Sequence, residues 1–208
     1  MRIGFLFNHD QIHQVAHSLP IALALARADP SLDIVLATTN DALDAEVGRL
    51  LDLGPACGNV RRVRLGLKSW ISRGAARALD AIVPAAKLAV YRDNLDFFRS
   101  LDALVVAEKT SAMLKTSYGL DRLKLIHTRH GAGDRAVGFD KASGKFDLVL
   151  VSGPKIRDRL IDEAGLDHHR LAMIGYPKFD LPRRRELPLK LRGRGGPTIL
   201  YNSHVSPH

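Results

Sequence analysis

The sequence predicts an α/β fold built on a parallel sheet with helices on both faces. Short runs rich in Ile, Leu, Val and Phe recur along the chain, and stretches with apolar residues at helical spacing separate them. Polar or glycine-containing turns follow the runs, as they do where a strand gives way to a crossover helix. With 208 residues, 46% hydrophobic and 25% charged, the chain suffices for one such domain with a sizeable core and falls short of two.

The elements follow in order. Arg2 to Phe7 reads as a buried first strand, and Asn8-His9-Asp10 as the turn after it. Ile12, Val15, Ala16, Leu19, Leu23 and Ala26 keep helical spacing, with Pro20 expected to kink or split that helix. Asp33 to Thr38 is a second strand, Ala42 to Leu53 a second helix, and Val60 to Leu65 a third strand interrupted by arginines. From about Ala75 to Phe98 the pattern is helical, with Pro84 as a break. Ala103 to Ala107, Leu123 to His127, Asp147 to Val151 and Leu171 to Ile174 are further short strands. Pro154 to Ala164 reads as a helix with Ser152 near its N-cap and Pro154 in its first turn. This alternation predicts a Rossmann-like parallel sheet, in which ligands bind beyond the carboxyl ends of the strands. The polar residues just after each strand therefore face the expected cleft: Asn8 and His9; Thr38 to Asn40; Glu108, Lys109 and Thr110; Thr128 to His130; Ser152 to Lys155.

Residues 1–180 are expected to form this domain. Residues 181–197, where Pro182, Pro188 and Pro197 stand among arginines and glycines, read as a basic interdomain linker. Residues 198–208, opening with Thr198-Ile199-Leu200-Tyr201, read as the first strand of a second domain that is cut short.

Composition narrows the function classes. No apolar run approaches the roughly 20 residues of a spanning helix, and Met1 opens directly into a strand-like run, so a cytoplasmic location is expected. One cysteine, Cys57, excludes a disulfide framework and a multi-cysteine metal site. The net charge of +9 suits nucleic acid, anionic lipid or phosphorylated substrates. No helix-turn-helix, zinc-finger, RRM or KH signature accompanies it, so no nucleic-acid partner is expected.

The last third of the chain carries a series of motifs. His130-Gly131 is followed by Phe139-Asp140, then Phe146-Asp147 opens a strand into Ser152-Gly153-Pro154. Gly175-Tyr176-Pro177-Lys178-Phe179-Asp180 and Ile199-Leu200-Tyr201 complete it. In order and spacing this series resembles the CDP-glycerol glycerophosphotransferase family, GT-B-type enzymes of cell-envelope polymer synthesis. That family has a His-Gly-Thr-Pro segment where this chain reads His130-Gly131-Ala132-Gly133, without the threonine hydroxyl or the proline. The Gly-x-Pro-Lys-x-Asp segment also occurs in other GT-B relatives, sugar-nucleotide 2-epimerases among them.

The resemblance implies that this chain is the N-terminal, acceptor-side domain of a GT-B-type architecture. The enzyme would move glycerophosphate or a sugar from a nucleotide donor, bound mainly by a second domain, to a hydroxyl acceptor that can be lipid-linked. It implies no cofactor and no metal, and His130 as the general base. A histidine suits that task near neutral pH, and the glycine after it lets backbone approach a ligand closely.

Further candidates come from position. His9 and His13 border the cleft after the first strand, and Lys109, Thr110 and Gly131 follow later strands. Ser152 and Lys155 stand where a helix N-terminus favours an anion. His13 and His17 have the four-residue spacing of some zinc sites, but no glutamate or third ligand accompanies them, so no metal site is expected. Arg64, Lys68, Trp70 and Arg73 belong to a basic run whose tryptophan and aliphatics suit the inner face of an anionic membrane. Two other readings compete: a non-catalytic anion- or membrane-binding module, and a fragment of another GT-B glycosyltransferase or sugar-nucleotide epimerase. The epimerase would need acidic cleft residues, for which Glu108 is the candidate.

Overall fold

The computed structural model describes residues 1–9, 11–68, 83–129 and 138–181. The strands are β1 (Arg2–Phe7), β2 (Asp33–Thr38), β3 (Val60–Arg64), β4 (Ala103–Val106), β5 (Lys124–Thr128), β6 (Leu148–Val151) and β7 (Leu171–Met173). They form one seven-stranded sheet in the order β3-β2-β1-β4-β5-β6-β7. Every pairing is parallel, with Phe5 of β1 opposite Leu36 of β2 on one side and Val105 of β4 on the other. The fold is Rossmann-like α/β, as the alternation of runs predicts.

A parallel sheet must be covered on both faces, and the strand pattern shows how. Side chains alternate across the pleat. Ile3, Phe5 and Phe7 enter one core with Ile34, Leu36, Ala103 and Val105. Two helices cover that face, α1 (Val15–Ala28) through Val15, Leu19 and Leu23, and α2 (Asp41–Leu51) through Leu43 and Val47. Leu6, Leu104, Val106, Leu125, Val149 and Val151 enter the opposite core. There they meet Tyr91 of α3 (Val83–Asp93), Phe98 of α4 (Leu95–Arg99), Leu114 of α5 (Met113–Thr116), and Ile156 and Leu160 of α6 (Pro154–Asp162). Gly4 belongs to this second face. A Cβ there would stand 2.6 Å from Leu101 Cδ1 and 2.9 Å from Leu104 Cδ1, so the glycine lets both leucines lie directly on β1.

Several boundaries differ from expectation for local reasons. Pro20 does not split its helix: α1 runs unbroken from Val15 to Ala28, with Pro20 buried inside it. The proline lacks the N–H of one helical bond, and the packing of Leu19, Leu23 and Ala26 holds the helix together around it. Pro84 is the second residue of α3, where a proline is tolerated, and residues 75–82 of the expected helical stretch lie outside the described residues. Asn40 caps α2 by accepting a hydrogen bond from the Leu43 N–H at 2.8 Å, which starts that helix one residue before Ala42. Ser152 is not a cap. Gly153 holds the N-cap position of α6, with no side-chain capping bond, and Pro154 opens the helix. The expected linker and the strand at 198–208 lie outside the described residues, apart from Leu181.

The β3 edge of the sheet is charged. On β3, Arg61 pairs with Asp33, Arg62 with Asp44 and Arg64 with Asp41. Exposed pairs of this kind contribute little energy, and they blunt an edge strand against pairing with another chain. At the amino end of β6, Asp147 does more. Its carboxylate accepts from Lys115 Nζ at 2.5 Å and from the Leu125 N–H at 2.8 Å, tying α5 to β5 and β6. Partial burial pushes that carboxyl up, and the bonds from Lys115 and Leu125, with Lys124 nearby, outweigh burial and hold it below the usual range.

Two outcomes follow for stability. Gly4→Val should cost about 1–3 kcal/mol through overpacking against Leu101 and Leu104, read as a lower urea midpoint with unchanged m-value. Asp147→Ala should cost about 1–3 kcal/mol, because it leaves the Leu125 N–H without its acceptor. With its folded pKa depressed, Asp147 contributes fully above the ordinary carboxylate value of about 4 and loses that contribution as pH falls through the lower folded value. The gap between wild type and variant in urea melts should therefore close below about pH 4 and stay constant from pH 5 to 8.

Candidate functional site

Parallel strands bring all their carboxyl ends to one edge of the sheet. The strand order reverses between β1 and β4, so the turns after these two strands part and leave a crevice. Asn8 and His9 leave β1 there, and Glu108, Lys109 and Thr110 follow β4. His9 is 1% exposed, and its Nδ1 lies 3.7 Å from Glu108 Oε1. Lys87 Nζ, from α3, lies 3.6 Å from Glu108 Oε2. A carboxylate thus stands between an imidazole and an ammonium group at the switch point. Of the three, the Glu108 side chain is the most exposed, at 21%.

A buried polar network supports this crevice. Asn8 Nδ2 donates to Tyr91 Oη at 2.7 Å, and Tyr91 Oη and Ser111 Oγ lie 3.0 Å apart. Tyr91 is fully buried, with its ring edge-on to Phe98 at 5.7 Å between centroids. Burial pushes its phenol up, opposed in part by the hydroxyls of Ser111 and Thr110 and by Asn8. The network locks the β1 turn to α3 and to the 3-10 turn Lys109–Ala112, and so fixes Glu108 relative to His9 and Lys87.

A second group lies beyond it, at the ends of β4 and β5. Lys109 Nζ donates to Gly138 O at 3.1 Å and to Asp140 Oδ1 at 2.8 Å. Arg129 Nη1 donates to the same Gly138 oxygen at 3.0 Å. The hydrogen bond from Lys109 holds the Asp140 carboxyl below its usual range. A third group closes the edge toward β7. A shallow depression is lined by His17, Thr128, Arg129, Ser152, Gly175 and Tyr176. The Tyr176 ring sits 5.4 Å from His17 and 5.0 Å from Phe179. Gly175 has φ +73°, a left-handed turn that suits glycine, and it delivers Pro177–Asp180 onto α1.

The sequence-derived candidates distribute as follows. His9 and Thr110 border the crevice beside Glu108 and Tyr91, Lys109 belongs to the second group with Gly138 and Asp140, and Ser152 lines the depression beside Arg129. His13 is exposed on the turn before α1, its ring 6.5 Å from His17, and takes no part in the crevice contacts. Lys155 is exposed on the first turn of α6. Arg64 is paired with Asp41 on the edge strand, and Lys68 is exposed, its N–H bonded to Asp93 Oδ2 at 3.0 Å. His130, Gly131, Trp70 and Arg73 lie outside the described residues. Among the described residues one trio could gather a metal ion, Asp167, His168 and His169, with ligand atoms within 4.8 Å of one another. It precedes β7 and therefore lies at the opposite edge of the sheet from the crevice. No helix of the described residues is long and apolar enough to cross a membrane.

Sequence reasoning missed Lys87 and Tyr91. Lys87 and Tyr91 are four apart, hence on one face of α3, which is the signal that a polar pair can share a site. Arg129 falls within the stretch Thr128 to His130 that the strand-end rule places at the cleft, without being singled out there as a site residue.

Removing the Tyr91 hydroxyl tests the network. Tyr91→Phe should cost about 1–2 kcal/mol, since Asn8 and Ser111 each lose a buried partner, read by chemical denaturation.

No protein-family profile and no curated protein matches the sequence. Solved structures do match in fold. UDP-GlcNAc 2-epimerase from Neisseria meningitidis, solved with UDP-GlcNAc, aligns with TM-score 0.60 and 13% identity over 86% of this chain and 48% of its own. A putative UDP-N-acetylglucosamine 2-epimerase from Listeria monocytogenes aligns with TM-score 0.52 and 17% identity over 86% and 45%. Alr3699/HepE from Anabaena, solved with UDP and glucose, aligns with TM-score 0.50 and 15% identity over 85% and 44%. The chain therefore spans about half the length of these proteins. At such identities the likeness is one of fold alone, that of a Rossmann-like α/β domain.

Proposed function

We propose that this chain is the acceptor-side domain of a GT-B-type transferase that moves glycerophosphate, or a sugar, from a nucleotide donor to a hydroxyl acceptor. The contact of Glu108 with both His9 and Lys87 at the switch point carries this reading. A carboxylate flanked in this way is suited to accept a hydrogen bond from the acceptor hydroxyl and aim it. The proton itself needs a base that works near neutral pH, and His130, two residues beyond Thr128 in the sequence, is proposed for that task. As the acceptor oxygen bonds to phosphorus or to the sugar's anomeric carbon, the bond to the nucleotide leaving group breaks and the hydroxyl proton passes to the imidazole. The donor nucleotide belongs to a second domain, and Lys109 supplies positive charge on the acceptor side.

Glu108 also favours a second reading, half of a sugar-nucleotide epimerase, because it provides the acidic cleft residue such chemistry needs. A peripheral location at the inner membrane face remains part of the proposal. It rests on Lys68, Trp70 and Arg73, since Arg64 already pairs with Asp41.

Thermal melts of this chain with glycerol 3-phosphate, CMP, CDP-glycerol and UDP-GlcNAc separate the readings. Glycerol 3-phosphate should raise Tm, by roughly 5–11 °C at a hundred times its Kd, with no response to the nucleotides. Glu108→Gln and His130→Ala should keep the fold; in a chain carrying both domains each should lower transfer at least about a hundredfold. A clear shift with UDP-GlcNAc alone would instead favour the epimerase reading.

A further inference from the structure

Three cations gather around Phe139 and Gly138, and among the described residues only two of them have a carboxylate. The Arg129 guanidinium lies 4.2 Å from the Phe139 ring centroid, and that of Arg159 lies 3.7 Å from the same centroid. Arg159 is held by Glu163 through two hydrogen bonds, and Lys109 by Asp140 at 2.8 Å. Arg129 meets no carboxylate within ion-pair distance among the described residues. Its only hydrogen bond there is to Gly138 O, and its Nε is buried without an acceptor. A guanidinium has five N–H donors and is rarely left half-buried without a carboxylate or phosphate. Burial and then the charge of Arg159 push Arg129 down from its ordinary value, opposed only in part by the Asp140 carboxylate that Lys109 holds, a cost that an incoming anion would relieve.

Position makes this charge useful. Lys109 and Arg129 donate to one oxygen, so their cationic groups lie no further apart than those two bonds laid end to end. The same contacts, with the Phe139 ring, orient both side chains in advance. Thr128 and Ser152 line the depression beside Arg129 and offer hydroxyl donors. We propose that Arg129 and Lys109 form an anion subsite for the phosphoryl group of the substrate, a phosphate mono- or diester, with Asp140 as the displaceable counter-ion of Lys109. The subsite rests on the reading that the strand-end crevice is the substrate site. It deepens that reading by requiring a phosphorylated group on the acceptor side, which a neutral sugar acceptor would not supply.

Calorimetric titration of the 208-residue chain with inorganic phosphate and with glycerol 3-phosphate, at constant ionic strength, tests it. Arg129→Met should weaken both at least tenfold, and Arg129→Lys, which keeps the charge but not the planar fork, by an intermediate factor. Asp140→Asn should tighten both severalfold, because the competing carboxylate is gone; a purely structural Lys109–Asp140 pair predicts no gain. Unchanged affinity in Arg129→Met overturns the subsite while leaving the crevice reading intact. A wild-type chain that binds neither phosphate, glycerol phosphate nor nucleotide overturns both. If circular dichroism shows Arg129→Met to be unfolded, Asp140→Asn decides alone, and no tightening there sinks the proposal.

Discussion

Because β1 is buried on both faces and paired along both edges, every other element must arrange itself around it. Its neighbours β2 and β4 run parallel to it, so the chain has to cross over a face of the sheet before each pairing. The crossovers cover one face with α1 and α2 and the other with α3 and α4. They also send every carboxyl end to the same edge. The reversal of strand order at β1 then opens the crevice that holds Asn8, His9 and Glu108. Gly4 is the local expression of this constraint, the point where the strand must be thin enough for Leu101 and Leu104 to reach it.

Charge is handled differently in different parts of the molecule. The arginines of β3 carry formal positive charge, yet each faces an aspartate, and their field is largely cancelled where it arises. At the carboxyl edge the balance is less complete. Glu108 is shared between His9 and Lys87, Lys109 leans on the exposed Asp140, and Arg129 meets only a carbonyl and a ring among the described residues. Net charge read from the whole sequence does not show this contrast, which depends on who stands next to whom. A half-buried cation with no carboxylate in direct contact is costly in a structural role and useful in a binding one.

The fold leaves the reaction open. Proteins that align with this chain at 13% to 17% identity include UDP-GlcNAc 2-epimerases and a protein solved with UDP and glucose, and one architecture can host different chemistries. What narrows the reading is the strand-end constellation itself, a carboxylate at the switch point with cations a strand away.

The sequence by itself determined the fold class, because its short apolar runs and helical spacings are local patterns whose burial demands only one kind of assembly. Every strand expected between Arg2 and Ile174 is present, and the misreadings were local. Pro20 stays within α1 because tertiary packing compensates for a single missing bond, and α2 starts one residue before Ala42 because Asn40 caps it. The strand-end rule also marks His9, Glu108, Lys109 and Ser152 as cleft residues from their place in the chain alone. Only the tertiary structure decided which of them meet. Lys87 lies 21 residues before Glu108 in the chain, and Gly138 lies 29 beyond Lys109, so their contacts depend on how the crossovers return to the sheet. Neither separation leaves a periodic trace in the sequence, since a long loop returns to its partner without constraining the residues between.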